Sequence, residues 1–185
     1  MKQENTVLYI LRLTVTLLLI CAFVALALAG VNAITKDKIA AVKAAKTAKA
    51  ISAVLKNGET AVEVSYPAEG NASVTKLYKN ENGYAVQVAP NGFGGAIAMM
   101  VGVDMEGKVT GISIISHAET PGLGAVASAN TDKGNAFRDQ FIGLISGITI
   151  GDGNNQIDAL SGATISSQAI VDGVNAALAC VASLG

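Results

Sequence analysis

Three features of the sequence predict an α+β fold, in which a long apolar helix precedes a domain built on an antiparallel sheet. No residue between Arg12 and Lys36 carries a charge, short runs of alternating or β-branched residues follow from Thr60, and an amphipathic helical stripe closes the chain. The 185 residues are 51% hydrophobic and only 15% charged, too apolar for a disordered chain. Thirteen basic and 14 acidic residues nearly balance, which rules out a broadly basic nucleic-acid binder. Cys21 and Cys180 lie far apart and leave neither a disulfide framework nor a Cys-rich metal site. A single histidine, with no C-x-x-C-H, argues against a His-based zinc or haem centre.

The predicted order is a tail over 1–6, a transmembrane anchor helix over 7–34, a stalk helix over 35–58 and an extramembrane domain over 59–185. The apolar run can span a bilayer core of about 30 Å, which needs roughly 20 helical residues. A cleaved signal peptide is the competing reading, with Lys2 and Arg12 as its basic region and Ala27-Leu28-Ala29 as its cleavage site. The run continues through Val31-Asn32-Ala33-Ile34, long for a signal core of roughly 7–15 residues, and so favours the anchor.

Thr35 is placed to cap the stalk helix and Asn57-Gly58 to stop it in the left-handed region. Lys36, Lys38, Lys43, Lys46, Lys49 and Lys56 face only Asp37, whereas Glu59 onward carries 5 basic and 12 acidic residues. This is an acidic domain on a basic stalk. The stalk lysines alone favour the cytoplasmic side, although a domain of this size can be translocated regardless of flanking charge.

Strands are predicted over Ala61–Tyr66, Ser73–Tyr78, Tyr84–Ala89, Ala96–Val103 and Val109–Ser116. Asn82-Gly83, Pro90-Asn91-Gly92 and Asp104-Met105-Glu106-Gly107 supply the reversals. Phe137 and Phe141 mark a short helix starting near Lys133, and Ile170, Val174, Leu178 and Val181 form one stripe of a helix starting near Ile165.

The most informative segment, Asp158-Ala159-Leu160-Ser161-Gly162-Ala163-Thr164-Ile165-Ser166-Ser167, lies where a loop feeds that last helix. Its first turn has free N–H groups and the positive end of the helix dipole, while Gly162 and Ala163 let a ligand approach the backbone. Local physics leaves two readings open. The turn holds an anion such as phosphate, or Ser161 or Thr164 merely caps the helix.

The same residues, Asp158-x-x-Ser161-Gly162-Ala163-Thr164 with Ser166-Ser167, resemble the flavinylation signature of FMN-binding domains. His117-Ala118-Glu119-Thr120-Pro121-Gly122-Leu123-Gly124 is similar to the H-x-E-T-P-G-L-G segment of that family. The family occurs in the G components of Rnf-type ion-translocating ferredoxin:NAD oxidoreductases and in the C components of sodium-pumping quinone reductases. Gly92-Phe93-Gly94-Gly95 resembles the glycine turn before the family's central hairpin.

The resemblance implies FMN esterified through its phosphate to Thr164, with Ser161, Gly162, Ala163, Ser166 and Ser167 around the phosphate. Glu119, Thr120, Pro121, Gly122, Leu123 and Gly124 would wall the flavin pocket, and 59–185 would be the FMN-binding domain. It further implies a single-pass cell-membrane protein with its C-terminal domain on the extracytoplasmic side, against the weaker lysine argument. Its partners would be the other subunits of an oxidoreductase complex, a flavin transferase for maturation and membrane lipid. Neither nucleic acid, a metal nor a free small-molecule substrate is expected, and catalysis would belong to the complex.

Another membrane reductase or a redox regulator is the alternative within the same cofactor class. A pilin-like structural subunit is the alternative outside it, but Glu4 lacks the arrangement of a pilin leader. A hydrolase finds no G-x-S-x-G motif and no nucleophile partner for His117.

Overall fold

The computed structural model describes residues 6–66, 72–151, 153 and 155–184. Most of the tail expected over 1–6 lies outside them. Helix α1 runs Thr6–Val54; its residues as far as Ala44 belong to one unit of the chain, Met1–Ala44, and the rest to a second, Ala45–Gly185.

In the first unit the apolar side chains from Leu8 to Ile34 are exposed. The segment is long and apolar enough to cross a membrane. Thr14 and Thr16 donate their hydroxyls to the carbonyls of Ile10 and Arg12, one turn back, so neither leaves a free donor on the apolar surface. Thr35 differs from its expected role as a cap. The helix continues through it, and its hydroxyl donates to the Val31 carbonyl at 2.8 Å. Flanking Ala and Lys residues are strong helix formers, so one threonine does not interrupt them.

The second unit is α+β, as predicted. Strands β1 (Val62–Val64), β2 (Val74–Asn80), β3 (Gly83–Val88), β4 (Ala98–Asp104) and β5 (Val109–Ser116) form an antiparallel meander in sequence order. The reversal between β2 and β3 centres on Glu81-Asn82, one residue earlier than expected, because Asn80 pairs with Gly83. Gly83 has φ +145°, and a Cβ there would run into the Val103 carbonyl.

Alternation sorts the central strands between the two faces of the sheet. Val86, Val88, Met99, Val101 and Val103 enter the larger core, with helix α3 (Thr164–Ala182). Ala85 and Met100 point the other way and meet Ala50, Ile51, Val54 and Leu55 at the end of α1. On α3 the expected stripe of Ile170, Val174, Leu178 and Val181 is buried. Each such side chain contributes roughly 1.5–3 kcal/mol relative to exposure. Helix α2 (Asp132–Asp139) sets Phe137 edge-on to Phe141, ring centroids 5.6 Å apart. A parallel pair, β6 (Thr149–Ile150) and β7 (Gln156–Ile157), leads into the loop before α3.

Candidate functional site

The loop before α3 is folded by the helix it precedes. Ser167 is fully buried, accepts from the Leu160 N–H at 3.0 Å and donates to the Ala163 carbonyl at 3.0 Å. The side-chain amide of Gln140 brackets Asp158, accepting from its N–H at 2.7 Å and donating to its carbonyl at 3.4 Å. Gly162 turns the chain at φ +72°. The helix begins at Thr164 behind Ala163, and no side chain caps it. Ser161 and Thr164 therefore do not play the capping role left open above. The N–H groups of Thr164, Ile165 and Ser166 have no acceptor among the described residues.

The second wall follows β5. Thr120-Pro121-Gly122-Leu123 is a type II turn, closed by the Leu123 N–H donating to the Thr120 carbonyl at 3.2 Å, with Gly122 at φ +79°. His117 pins its entry. The His117 Nδ1 accepts from the Glu119 N–H at 3.2 Å, so the ring proton sits on Nε2 and is donated to the Ser128 Oγ at 2.7 Å. His117 is thus a structural tie between the loop and the 3-10 turn Gly124–Ser128.

The third wall is the glycine turn between β3 and β4, closed by the Gly92 N–H donating to the Gly95 carbonyl at 2.8 Å, with Phe93 at its exposed tip.

These walls enclose a cavity of about 380 Å³, within the usual range for small-molecule sites. Glu119, Thr120, Leu123 and Gly124 line it on one side, and Gly162, Ala163, Thr164 and Ser166 on the other. Ser161, Ser167, Pro121 and Gly122 do not reach it: Ser161 is exposed, Ser167 is spent on its own loop, and Pro121 and Gly122 shape the turn. Phe93 and Ile165 line it as well. The sequence predicts a turn at Phe93 and a helix start at Ile165, and marks neither as a site residue. The usable signal was that both are apolar residues beside the two glycine-containing motifs.

Glu119 is the one acidic residue among the described residues that is buried, at 6% exposure. Its Oε1 accepts from the Gly94 N–H at 2.9 Å and its Oε2 from the Ser166 hydroxyl. Among the described residues no cluster of His, Cys, Asp and Glu is arranged to hold a metal.

The sheet carries α3 on one face, with a glycine-containing cavity at that helix's uncapped N-terminus, and residues 92–179, which span most of these elements, match the FMN-binding domain family. The G component of the proton-translocating ferredoxin:NAD(+) oxidoreductase complex of Clostridium ljungdahlii is 41% identical over 95 residues, 51% of each chain. The G component of the Na(+)-translocating ferredoxin:NAD(+) oxidoreductase complex of Acetobacterium woodii is 39% identical over 102 residues, 50% of this chain and 46% of that protein. The matches thus span about half the length of these two relatives. The G component of the ion-translocating oxidoreductase complex of Methanosarcina acetivorans is 31% identical over 180 residues, 91% of this chain and 93% of that one. The chain belongs to this family, the G components of ion-translocating oxidoreductase complexes.

Proposed function

We propose that this chain is the membrane-anchored electron-transfer subunit of an ion-translocating ferredoxin:NAD oxidoreductase complex, carrying FMN joined through its phosphate to Thr164. The observation that carries this reading is the state of the hydroxyls around the start of α3. Ser166 is given to Glu119, Ser167 to the loop, and Ser161 lies off the cavity. Of the hydroxyls at the start of α3, Thr164 alone both lines the cavity and makes no hydrogen bond among the described residues; the Thr120 hydroxyl, on the opposite wall, is likewise unbonded but stands away from the helix start in sequence.

The residues present fit the group. A phosphodiester keeps one negative charge, and the unserved N–H groups of Thr164, Ile165 and Ser166, at the positive end of the helix dipole, are suited to bind it. Gly162 and Gly124 let the two walls approach closely: a Cβ at Gly162 would crowd Leu123, and one at Gly124 would run into Ser166 and Glu119. Phe93, Leu123 and Ile165 offer apolar cover to a ring.

Attachment exchanges the Thr164 O–H for an O–P bond while a phosphoanhydride bond of an activated flavin donor breaks, which calls for a transferase. When bound, FMN supplies the electron transfer; the chain supplies binding, orientation and the local field. The division into a membrane span over 7–34, a stalk over 35–58 and a flavin domain over 59–185, with that domain on the extracytoplasmic side, completes the proposal. The exposed apolar segment of α1 supports the span. Relatives named for proton and for Na(+) translocation match at 41% and 39%, so the choice of ion is assigned to the rest of the complex.

The test is expression with and without a flavin transferase, followed by in-gel flavin fluorescence under denaturing conditions and intact mass. The expected product is a fluorescent band heavier by FMN less water, absent in Thr164→Ala. A dark wild-type band beside an active transferase would refute the covalent linkage.

A further inference from the structure

The Glu119 carboxylate is buried in the cavity wall and pairs with no cation among the described residues. It lies between the glycine turn and the first turn of α3, with one oxygen on the Gly94 N–H and the other on the Ser166 hydroxyl. Its own N–H is held by His117, so all three walls of the cavity meet at this residue. The chain keeps space for it. A Cβ at Gly92 would fall on Glu119 Oε1, and one at Gly124 on Glu119 Oε2. A carboxylate this buried is costly unless its oxygens are hydrogen-bonded, and here both are.

Gly94 immediately follows Phe93, and glycine turns are floppy unless something fixes them. Among the described residues, the bond from Gly94 to Glu119 is the hydrogen bond that ties the turn to the wall after β5, where Gly94 also packs closely on the Ala118 carbonyl. Phe93 is 71% exposed and stands outside the core clusters of the described residues.

We propose that Glu119 is a positioning residue. It clasps the Gly92–Gly95 turn to the N-terminal turn of α3 and thereby holds Phe93 as the wall that shields the cofactor ring from water. Glu119 acts through Gly94 and Ser166, which engage both of its oxygens. This rests on the flavin reading above.

The test uses the full chain, co-expressed with a flavin transferase and purified in detergent. Iodide quenching of native flavin fluorescence and the sharpness of the visible flavin band are measured per covalently attached flavin, with attachment taken from the denatured gel. Phe93→Ala and Glu119→Ala are each expected to raise the quenching constant several-fold and to blur the band. The double variant should be no more exposed than Phe93→Ala alone, because the two changes act through one wall. Glu119→Gln should stay near wild type, since its oxygen can still accept from Gly94 and its amide can donate to Ser166.

Additive effects in the double variant would overturn the clasp. So would Glu119→Gln as exposed as Glu119→Ala, which would make charge the operative property. Loss of attachment in Glu119→Ala with attachment retained in Phe93→Ala would overturn it too. Should Glu119→Ala fail to fold, Ser166→Ala decides, because it removes one arm of the clasp: raised quenching supports the proposal and wild-type quenching refutes it. A dark wild-type band removes the flavin reading and the clasp together.

Discussion

Two helix ends in the domain are finished in opposite ways. Where α1 ends, its last carbonyl, Val54, and the three of the turn that follows each have a donor: Thr110 on Val54, the Gly58 N–H on Leu55, the amides of Asn80 and Asn82 on Lys56, and Thr60 with Asn80 on Asn57. At the N-terminus of α3 the N–H groups of Thr164, Ile165 and Ser166 have none among the described residues, although hydroxyls stand at Ser161 and Thr164. Orphan groups at a helix end are normally satisfied by caps, turns or water. The exit from α1 is thus tied to three other segments of the domain, whereas the start of α3 is left open where the proposed phosphate would sit.

The largest effects should separate these two ends. Thr164→Ala is expected to abolish covalent flavin while leaving the unfolding free energy within about 0.5 kcal/mol, because the side chain is exposed and caps nothing. Denaturing-gel fluorescence and chemical denaturation of the same preparations check both halves. Ser167→Ala, one turn further along, should behave in the reverse order. It strands the Leu160 N–H in a partly buried loop and should cost about 1–3 kcal/mol, with flavin attachment reduced only as far as the loop loosens. A stability loss in Thr164→Ala larger than that in Ser167→Ala would break the comparison.

Closing the other end should matter for stability alone. Asn80→Ala removes donors to the Lys56 and Asn57 carbonyls at exposed positions, where water can substitute, so about 1 kcal/mol is expected, and no change in flavin attachment. Urea denaturation of the loaded protein measures the first and gel fluorescence the second. A fall in attachment would mean that the two ends are coupled through the sheet.

Much of this architecture was legible in the sequence because it rests on period and on local turn chemistry. The five strands of the meander fall within a few residues of the alternating runs, β5 coincides with its run, and Asn57 takes the left-handed stop at φ 54°. The β6–β7 pair was not legible, since two-residue strands carry no period. Thr35 misled because a capping residue signals a helix start only where the preceding residues are not already helical. Within the site, the Ser-Gly-Ala-Thr turn was legible from adjacency. The division of labour among its hydroxyls was not: what commits Ser166 is Glu119, 47 residues away, and what commits Ser167 is the way the loop closes. Glu119 itself was expected in a pocket wall, but its link to Gly94, 25 residues away, is a property of the tertiary structure.

The smallest effect is expected at a polar contact that belongs to neither helix end and so calibrates the others. Lys76 and Glu63 pair across β2 and β1 at 2.8 Å, both side chains about half exposed. The hydrogen bond to Glu63 raises the lysine above its ordinary value of 10.5. A raised lysine contributes stability that is fully present below the unfolded value and is lost as pH rises through the folded one, so any dependence lies above that ordinary value. Exposed pairs of this kind contribute little, because water and salt screen them and ordering two long side chains costs entropy. Lys76→Met should therefore leave the thermal midpoint of the domain unchanged at neutral pH, in low and high salt alike. A salt-sensitive loss there would show that surface electrostatics of this acidic domain contributes to every stability difference above. The gap between Ser167→Ala and Thr164→Ala would then have to be measured at high salt before it could be assigned to the helix end.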